Sequence, residues 1–238
     1  MKERLNPFCY ILAAVILVFA IASTVNGQEG KAIDCYDQTV LRAGEGSYGF
    51  VPSWFVMVKV RDRHSATFYG SGAFLTNRLV LTCNHNVEGA ANVLVKNGTG
   101  DQFFKVKVVQ VSPKLDLALL LIEDEEVPYH RTLQISGENF TPKGRVHAVG
   151  YDPGEDAICR YEGTLTGKSY GRPGFPGVVS HGHSAKVVQG MSGGPLLDDY
   201  LEIVGVNTHS SPHTKSLATN LTRLQWFLDQ YKGDKGEK

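Results

Sequence analysis

The chain has 238 residues, with 24 Lys and Arg against 24 Asp and Glu, and therefore a formal net charge of +0. Apolar residues make up 42% of it and charged residues 20%, which excludes a disordered or collagenous chain. The neutral balance gives no electrostatic case for nucleic acid, because a basic stripe would be needed to neutralise phosphates, so we expect no nucleic-acid partner. The 26 glycines indicate many tight turns between short strands.

The first 27 residues have the layout of a secretory signal peptide. Lys2 and Arg4 precede an apolar run over Phe8–Ala22, and the residues Val25 and Gly27 suit a cleavage site. The run is shorter than the roughly 20 residues that usually span a membrane, so we expect cleavage, with an uncleaved anchor as the alternative. In both cases the rest of the chain is exported. We therefore expect a secreted or periplasmic protein, with no stable membrane association unless the signal stays uncleaved.

The remaining chain is typical of an all-β protein. Runs rich in Val, Ile, Phe and Tyr alternate with turn residues, which predicts the short strands of a sandwich or barrel. The predicted strands are Trp54–Val60, Thr67–Leu75, Arg78–Leu81, Phe103–Val111, Leu117–Ile122, Arg145–Gly150, Ile158–Leu165, Ser184–Val188, Ile203–Asn207 and Ser216–Leu221. The charged stretch Glu123–Glu126 divides them into two sets and indicates a surface linker.

Two further segments have a distinct pattern. Apolar residues at 3.6-residue spacing over Leu221–Tyr231 predict a C-terminal helix, with Thr222 as a candidate cap. The Gly- and Pro-rich segment Tyr170–His183 predicts a long loop, either a substrate loop or an ordinary surface loop.

Three segments contain candidate catalytic residues. The segment Gly190–Pro195 reads GMSGGP and predicts a tight turn that presents the Ser192 hydroxyl, with the N–H groups of Gly190 and Ser192 forming an oxyanion hole. His85 follows an apolar strand, and a neutral imidazole is the usual base for a serine proton. Asp116 opens another apolar strand and would orient that imidazole. Taken singly, each has a plainer interpretation: a glycine-rich hairpin, a surface histidine and an exposed aspartate.

Together these segments resemble the trypsin-like, chymotrypsin-fold serine proteases, and the chain order His, Asp, Ser also matches. The matching segments are Gly70–Leu75 (GSGAFL), Leu81–His85 (LTCNH), Asp116–Leu119 (DLAL) and Gly190–Pro195 (GMSGGP). The resemblance implies two antiparallel six-stranded β-barrels with a C-terminal α-helix and the active site in the cleft between the barrels. It implies His85 as general base, Asp116 as orienting acid and Ser192 as nucleophile.

The function that the resemblance implies is a serine endopeptidase that acts on protein or peptide substrates through an acyl-enzyme. It requires no cofactor and no metal. The implied organisation is a signal peptide over 1–27, an N-terminal arm over 28–44, a first barrel over 45–127 and a second barrel with the helix and a polar tail over 128–238. We expect a monomer.

The residues around these motifs indicate which branch of the trypsin-like serine proteases the chain resembles most. Digestive relatives carry Asp where this chain has Met191, so activation by an ion pair to a new N-terminus is not indicated. The segments AVGYDPG at 148–154 and IVGVNT at 203–208 resemble the glutamyl-endopeptidase and Deg-type branch. By analogy with digestive relatives, the resemblance also implies a disulfide between Cys35 and Cys159. Cys83 is then a thiol outside the bridge, two residues before His85.

The sequence determines the substrate specificity less well than the catalytic candidates. Ungapped matching to digestive relatives puts Lys186 at the floor of the substrate pocket, where a cation would favour an acidic side chain. The alternative is a Lys186 that points outward from an alternating strand. Asn207, Thr208 and His209 are further substrate-binding candidates, although glutamyl-cleaving relatives carry His where this chain has Asn207.

Three rival functions remain open. A catalytically silent binding module on the same fold is the main alternative. The sequence around Ser192 also fits the nucleophile turn of α/β hydrolases, but too few residues follow it for the Asp, the His and the βα units that this fold requires. His181 and His183 form a weak metal motif without a Cys or carboxylate at zinc-like spacing.

Overall fold

The computed structural model describes residues 32–37, 52–98, 100–123, 127, 130–137, 144–172, 175–211 and 214–232. Within these residues the chain forms thirteen β-strands, a single-turn 3-10 helix over Asn84–Asn86 and one α-helix. The elements are β1 (Ala32–Asp37), β2 (Phe55–Asp62), β3 (Thr67–Phe74), β4 (Leu79–Thr82), β5 (Ala90–Asn97), β6 (Phe103–Ser112), β7 (Leu117–Ile122), β8 (Arg145–Asp152), β9 (Ala157–Arg172), β10 (Phe175–His183), β11 (Pro195–Leu197), β12 (Ile203–Ser211), β13 (Thr214–Thr219) and α1 (Leu221–Asp229). The predicted signal peptide lies outside the described residues.

The first six strands after β1 close into an antiparallel barrel in the order β2-β3-β4-β7-β6-β5. Side chains of a strand alternate between its two faces, so Val56, Val58 and Val60 fill the barrel interior. Phe55 and Met57, on the opposite face of the same strand, pack against the second barrel. Burial on both faces explains why β7 is a continuous apolar run rather than an alternating one.

The second barrel contains the strands β8-β9-β10-β13-β12-β11, and the antiparallel pairing of β8 with β9 closes it. The N-terminal arm contributes β1, which pairs with the opposite edge of β9. Cys35 and Cys159 lie directly across from each other in this pairing and form a disulfide, the pair implied by the resemblance.

An apolar cluster joins the two barrels and the C-terminal helix. It includes Leu119 of the first barrel, Val149 and Ile203 of the second, and Leu224 and Phe227 of α1. Separate clusters fill each barrel interior. The interface between the barrels is thus continuous core, which fixes the two halves of the cleft relative to each other. None of the described helices has the length and apolarity needed to cross a bilayer.

The predicted fold class is confirmed, but three local predictions are wrong. The described residues of the predicted loop Tyr170–His183 form the end of β9 and all of β10, which pair antiparallel. The predicted strand Ser184–Val188 joins no ladder among the described residues, although Ala185 and Val187 alternate into the barrel interior. The N-cap of α1 is Asn220, whose side chain accepts a hydrogen bond from the Arg223 N–H, rather than Thr222.

Candidate active site

His85 sits on the 3-10 helix that follows β4, and its imidazole faces Asp116. The ring Nδ1 lies 2.7 Å from Asp116 Oδ2, and the His85 backbone N–H donates to Asp116 Oδ1 at 2.9 Å. An ionised carboxylate only accepts hydrogen bonds, so Nδ1 is the donor, and in the neutral imidazole Nε2 is then the acceptor. The His85 side chain is 40% exposed and that of Asp116 only 4%. One edge of the imidazole is therefore available to a substrate.

Asp116 lies just before β7 in the left-handed backbone region, with a φ of +59°. Asp tolerates this region better than most non-glycine residues because its short side chain hydrogen-bonds locally. Both carboxylate oxygens accept hydrogen bonds from His85, one from the main chain and one from the ring. A buried carboxylate with two such donors holds the imidazole in one orientation.

Ser192 lies on a turn between β10 and β11 that only glycine accommodates at two positions. Gly190 has a φ of +98° and Gly193 a φ of +87°. A Cβ at Gly193 would collide with the Ser71 carbonyl oxygen and Thr82 Oγ1 of the first barrel. The Gly193 N–H donates to the Asn207 carbonyl at 2.8 Å. The turn is therefore pressed against both barrels.

The other N–H groups of this turn divide into two sets. Those of Met191 and Gly194 donate to carbonyls of Val188 and Met191 at 3.1 and 3.0 Å. Those of Gly190 and Ser192 have no acceptor in the part of the chain that the structure describes. Two neighbouring donors without an internal acceptor are what an oxyanion hole requires.

The Ser192 hydroxyl does not contact His85 directly. Its Oγ donates to the Thr208 carbonyl at 3.3 Å, and no hydrogen bond joins it to the His85 ring among the described residues. Hydrogen bonds between catalytic groups are often long or misaligned without substrate. A rotation about the Ser192 Cα–Cβ bond would redirect the hydroxyl.

Three polar residues of the first barrel hold the turn that carries Ser192, and none of them is predicted from the sequence to do so. The Asn86 side chain donates to the Ser192 carbonyl at 2.8 Å. The Ser71 hydroxyl donates to the Gly190 carbonyl at 2.7 Å and accepts from the Tyr151 N–H at 2.9 Å. Thr82 Oγ1 donates to the Ser71 carbonyl at 2.7 Å. The positions of Asn86 next to His85 and Ser71 within the GSG motif were the available signals.

Lys186 forms contacts inside the protein. Its Nζ lies 3.4 Å from Asp152 Oδ2, 3.2 Å from the Tyr161 hydroxyl and 4.7 Å from the centre of the Tyr161 ring. Burial alone would raise the pKa of Asp152, but hydrogen bonds from Tyr161 and Gly154 and the Lys186 ammonium outweigh it and lower that pKa. A substrate carboxylate would have to compete with Asp152 for this cation.

The other specificity candidates lie on β12. The Asn207 side chain is fully buried, and its Nδ2 donates to the Pro195 carbonyl at 3.1 Å, so it supports the segment that follows Ser192. Thr208 is mostly buried and supplies the carbonyl that accepts the Ser192 hydroxyl. His209 pairs with Leu217 through the strand, and its side chain lies outside the described residues.

His181 and His183 share β10 but have different surroundings. His181 Nε2 lies 2.7 Å from Asn220 Nδ2. His183 is fully buried, and neither ring nitrogen has a hydrogen-bond partner among the described residues. Burial lowers the pKa of His183 to about 3, so the ring is neutral at neutral pH. No third metal-ligating side chain joins the two histidines in the described part of the chain.

Comparison with known families agrees with this geometry. Residues 70–206 match the family model of a trypsin-like peptidase domain. The chain belongs to the trypsin-like peptidase family.

Individual relatives are similar at low identity. A probable periplasmic serine endoprotease of DegP-like type from Pseudomonas savastanoi is 28% identical over 141 residues, which cover 58% of this chain and 28% of that protein. The serine protease Rv3671c of Mycobacterium tuberculosis is 31% identical over 159 residues, which cover 63% of this chain and 39% of that protein. The chain thus spans well under half the length of these relatives. The Deg-type resemblance is confirmed.

Solved structures share the fold. The active form of the Rv3671c protease superposes with a TM-score of 0.66 at 20% identity, covering 90% of this chain and 95% of that one. The serine endoprotease from Yersinia pestis gives 0.61 at 21% identity, covering 76% of this chain and 63% of that one.

Proposed function

We propose that the chain is an endopeptidase that hydrolyses peptide bonds by acyl transfer to Ser192. The observation that carries the proposal is the pair of hydrogen bonds between His85 and the buried Asp116 carboxylate. These bonds keep the proton on Nδ1, so Nε2 is the free acceptor that a serine hydroxyl needs.

In the first step the Ser192 hydroxyl turns from the Thr208 carbonyl to His85 Nε2 and attacks the scissile carbonyl. His85 takes the hydroxyl proton, and Asp116 stabilises the imidazolium that forms. The N–H groups of Gly190 and Ser192 receive the developing oxyanion. The proton then passes to the leaving amine, and water hydrolyses the acyl-enzyme with His85 again acting as base.

We also propose that the enzyme works outside the cytoplasm, as a monomer on protein or peptide substrates. The Cys35–Cys159 disulfide supports this location because structural disulfides persist in oxidising compartments. The name of the Pseudomonas relative, a probable periplasmic endoprotease, supports it too.

A catalytically silent binding module is the second candidate. One observation favours it: the Ser192 hydroxyl is hydrogen-bonded to the Thr208 carbonyl rather than to His85. If that hydroxyl stayed there when a peptide bound, the fold would present a cleft without a nucleophile.

Labelling with a fluorophosphonate separates the two candidates. We expect covalent label on the wild-type protein, none on Ser192→Ala, and full label on Ser169→Ala, whose serine is exposed on β9. Cleavage of a peptide library by the same three proteins identifies the substrate. A folded wild-type protein that takes no label and cleaves nothing would overturn the endopeptidase and leave the binding module.

A further inference from the structure

Cys83, His85 and Asp116 bring three different metal-ligating groups to one place. The Cys83 Sγ, a ring nitrogen of His85 and a carboxylate oxygen of Asp116 all lie within 4.8 Å of one another. We propose that these three side chains bind Zn²⁺ and that the bound metal reversibly inhibits the enzyme. The inhibition rests on the proposed function, whereas the binding does not.

The ligand set selects the metal. A thiolate, an imidazole and a carboxylate are the three side-chain ligands that zinc uses in proteins. Mg²⁺ and Ca²⁺ prefer all-oxygen sites and are disfavoured by the sulfur of Cys83. Zinc sites with three protein ligands keep a fourth position for water. His85 is the partly exposed member of the three, whereas Cys83 and Asp116 are both buried.

The separations of the three ligand atoms are close to those of a tetrahedral zinc site. Zinc–ligand bonds of about 2.0–2.3 Å place ligand atoms roughly 3.3–3.8 Å apart. The present separation of His85 Nδ1 and Asp116 Oδ2 is 2.7 Å, so these atoms must open slightly, while the sulfur must approach by up to about 1 Å. A tilt of the partly exposed His85 ring can open the Nδ1–Oδ2 separation, and the approach of the sulfur requires a movement of the Cys83 side chain.

Zinc binding prevents His85 from acting as a base because it shifts the ring proton from Nδ1 to Nε2. The Cys83 thiol releases its proton to solvent as the sulfur–zinc bond forms, and the thiolate and the carboxylate together balance the two metal charges. Zinc at Nδ1 replaces the hydrogen bond to Asp116, so the single proton of the neutral imidazole moves to Nε2. An Nε2 that carries a proton accepts none from the Ser192 hydroxyl, and acyl transfer stops.

Cys83 is the member of this cluster that the proposed peptidase mechanism does not use. Its thiol lies 3.3 Å from the Asn207 carbonyl oxygen, the same oxygen that accepts the Gly193 N–H. Without the sulfur, the site offers zinc only an imidazole and a carboxylate that are already bonded to each other. We therefore expect the response to zinc to depend on residue 83.

Metal binding is measured first, in the Ser192→Ala protein, so that turnover plays no part. We expect it to take up one equivalent of Co²⁺, with the near-ultraviolet charge-transfer absorption of a cobalt–thiolate bond, and Zn²⁺ to displace it. Adding Cys83→Ser should abolish that absorption and weaken zinc binding at least about tenfold. Serine retains a donor to the Asn207 carbonyl, and Cys83→Ala repeats the test if the serine variant does not fold. Absence of the thiolate band from folded Ser192→Ala protein overturns the site.

Inhibition is measured on proteins that retain Ser192, each normalised to its own activity without metal. We expect Zn²⁺ to inhibit the wild type, EDTA to restore activity, and Cys83→Ser to need at least about tenfold more zinc. His64→Gln, which removes an exposed histidine beside Asp62, should respond as the wild type does. Equal inhibition of the wild type and Cys83→Ser would overturn the proposal, because zinc would then act elsewhere. An inactive wild type that still shows the cobalt–thiolate band would contradict the peptidase and retain the metal site.

Discussion

The side chain of Asn86 donates to the carbonyl of Ser192 at 2.8 Å, across the interface of the two barrels. The residue that follows the proposed base thus holds the residue that carries the proposed nucleophile. The same amide group lies 3.0 Å from Thr82 Oγ1, and the Ser71 N–H donates to the same Ser192 carbonyl at 2.9 Å. Relative movement of the barrels would break these bonds, so they fix the distance between base and nucleophile.

Replacing Asn86 should impair catalysis more than folding. Asn86→Ala removes a donor to the Ser192 carbonyl and leaves the Ser71 N–H as its remaining partner. The net loss of one such hydrogen bond costs about 0.5–1.5 kcal/mol, so we expect kcat to fall about 2- to 10-fold if the turn loses its position. Steady-state kinetics on a chromogenic ester and thermal melting measure the two effects separately.

The matched control is Asn92→Ala, which removes an exposed asparagine of β5 in the same barrel. We expect no change in kcat and a melting temperature close to that of the wild type. A wild-type kcat in Asn86→Ala would show that the interface bond has no part in placing Ser192.

Asp116→Asn should leave the fold intact and remove most of the activity. The amide of asparagine presents a donor to the ring where the carboxylate accepts, so Nδ1 loses its proton and Nε2 becomes the donor. In the trypsin-like enzymes for which the triad was worked out, this change lowers kcat by about 10⁴-fold, and we expect a similar loss here. Asp101→Asn, at an exposed position, is the control. Activity of Asp116→Asn within tenfold of the wild type would exclude the proposed role of Asp116.

The sequence motifs single out His85, Asp116 and Ser192 as candidates because the residue types and their local surroundings are distinctive. They do not identify the network that holds them, since its members bond to backbone atoms far away in the chain. Ser71 and its acceptor Gly190 are 119 residues apart, and Asn86 and Ser192 are 106 apart. A serine, a threonine and an asparagine in or near strands carry no local signal of such partners.

His183 should make the protein sensitive to acid. Burial lowers its pKa from 6.5 to about 3, so the unfolded chain takes up a proton on this ring before the folded chain does. Stability from this residue is complete above about pH 6.5 and falls as the pH drops toward 3, by up to about 5 kcal/mol. Urea unfolding at several pH values between 7.5 and 4 measures the loss.

His183→Phe tests this prediction because phenylalanine has a similar shape and no proton to gain. We expect its stability to fall less steeply between pH 6.5 and 4 than that of the wild type, whereas His64→Gln at the surface should follow the wild type. Parallel pH profiles for the wild type and His183→Phe would contradict a buried neutral histidine.

The Cys35–Cys159 disulfide should contribute strongly to stability. It joins residues separated by 124 positions, and closing so long a loop stabilises the folded state by about 4–5 kcal/mol in the chain-entropy model. Cys35→Ser combined with Cys159→Ala should therefore lower the melting temperature by about 10 °C or more. Cys83→Ala, which leaves the bridge intact, separates this effect from thiol chemistry in general. A melting temperature unchanged by the double substitution would show that the β1–β9 pairing alone holds the arm.

The strand predictions fail where tertiary pairing decides the structure. The Gly- and Pro-rich composition of Tyr170–His183 indicates a loop, yet β9 and β10 satisfy each other's backbone groups as a hairpin. Conversely, the alternation of Ser184–Val188 arises from Ala185 and Val187, which fill the second barrel without joining a ladder. Periodicity reports which face is buried, and it identifies a strand only when a partner strand is present.

The Cys35–Cys159 bridge also determines whether the molecule stays in one piece after a cut in its backbone. The segment that it closes contains the whole first barrel, including His85 and Asp116, while Ser192 lies beyond it. A single cut anywhere between the two cysteines produces two polypeptides that stay linked through sulfur. Such a nicked molecule keeps base and nucleophile on one covalent body, migrates whole on a non-reducing gel and separates only on reduction.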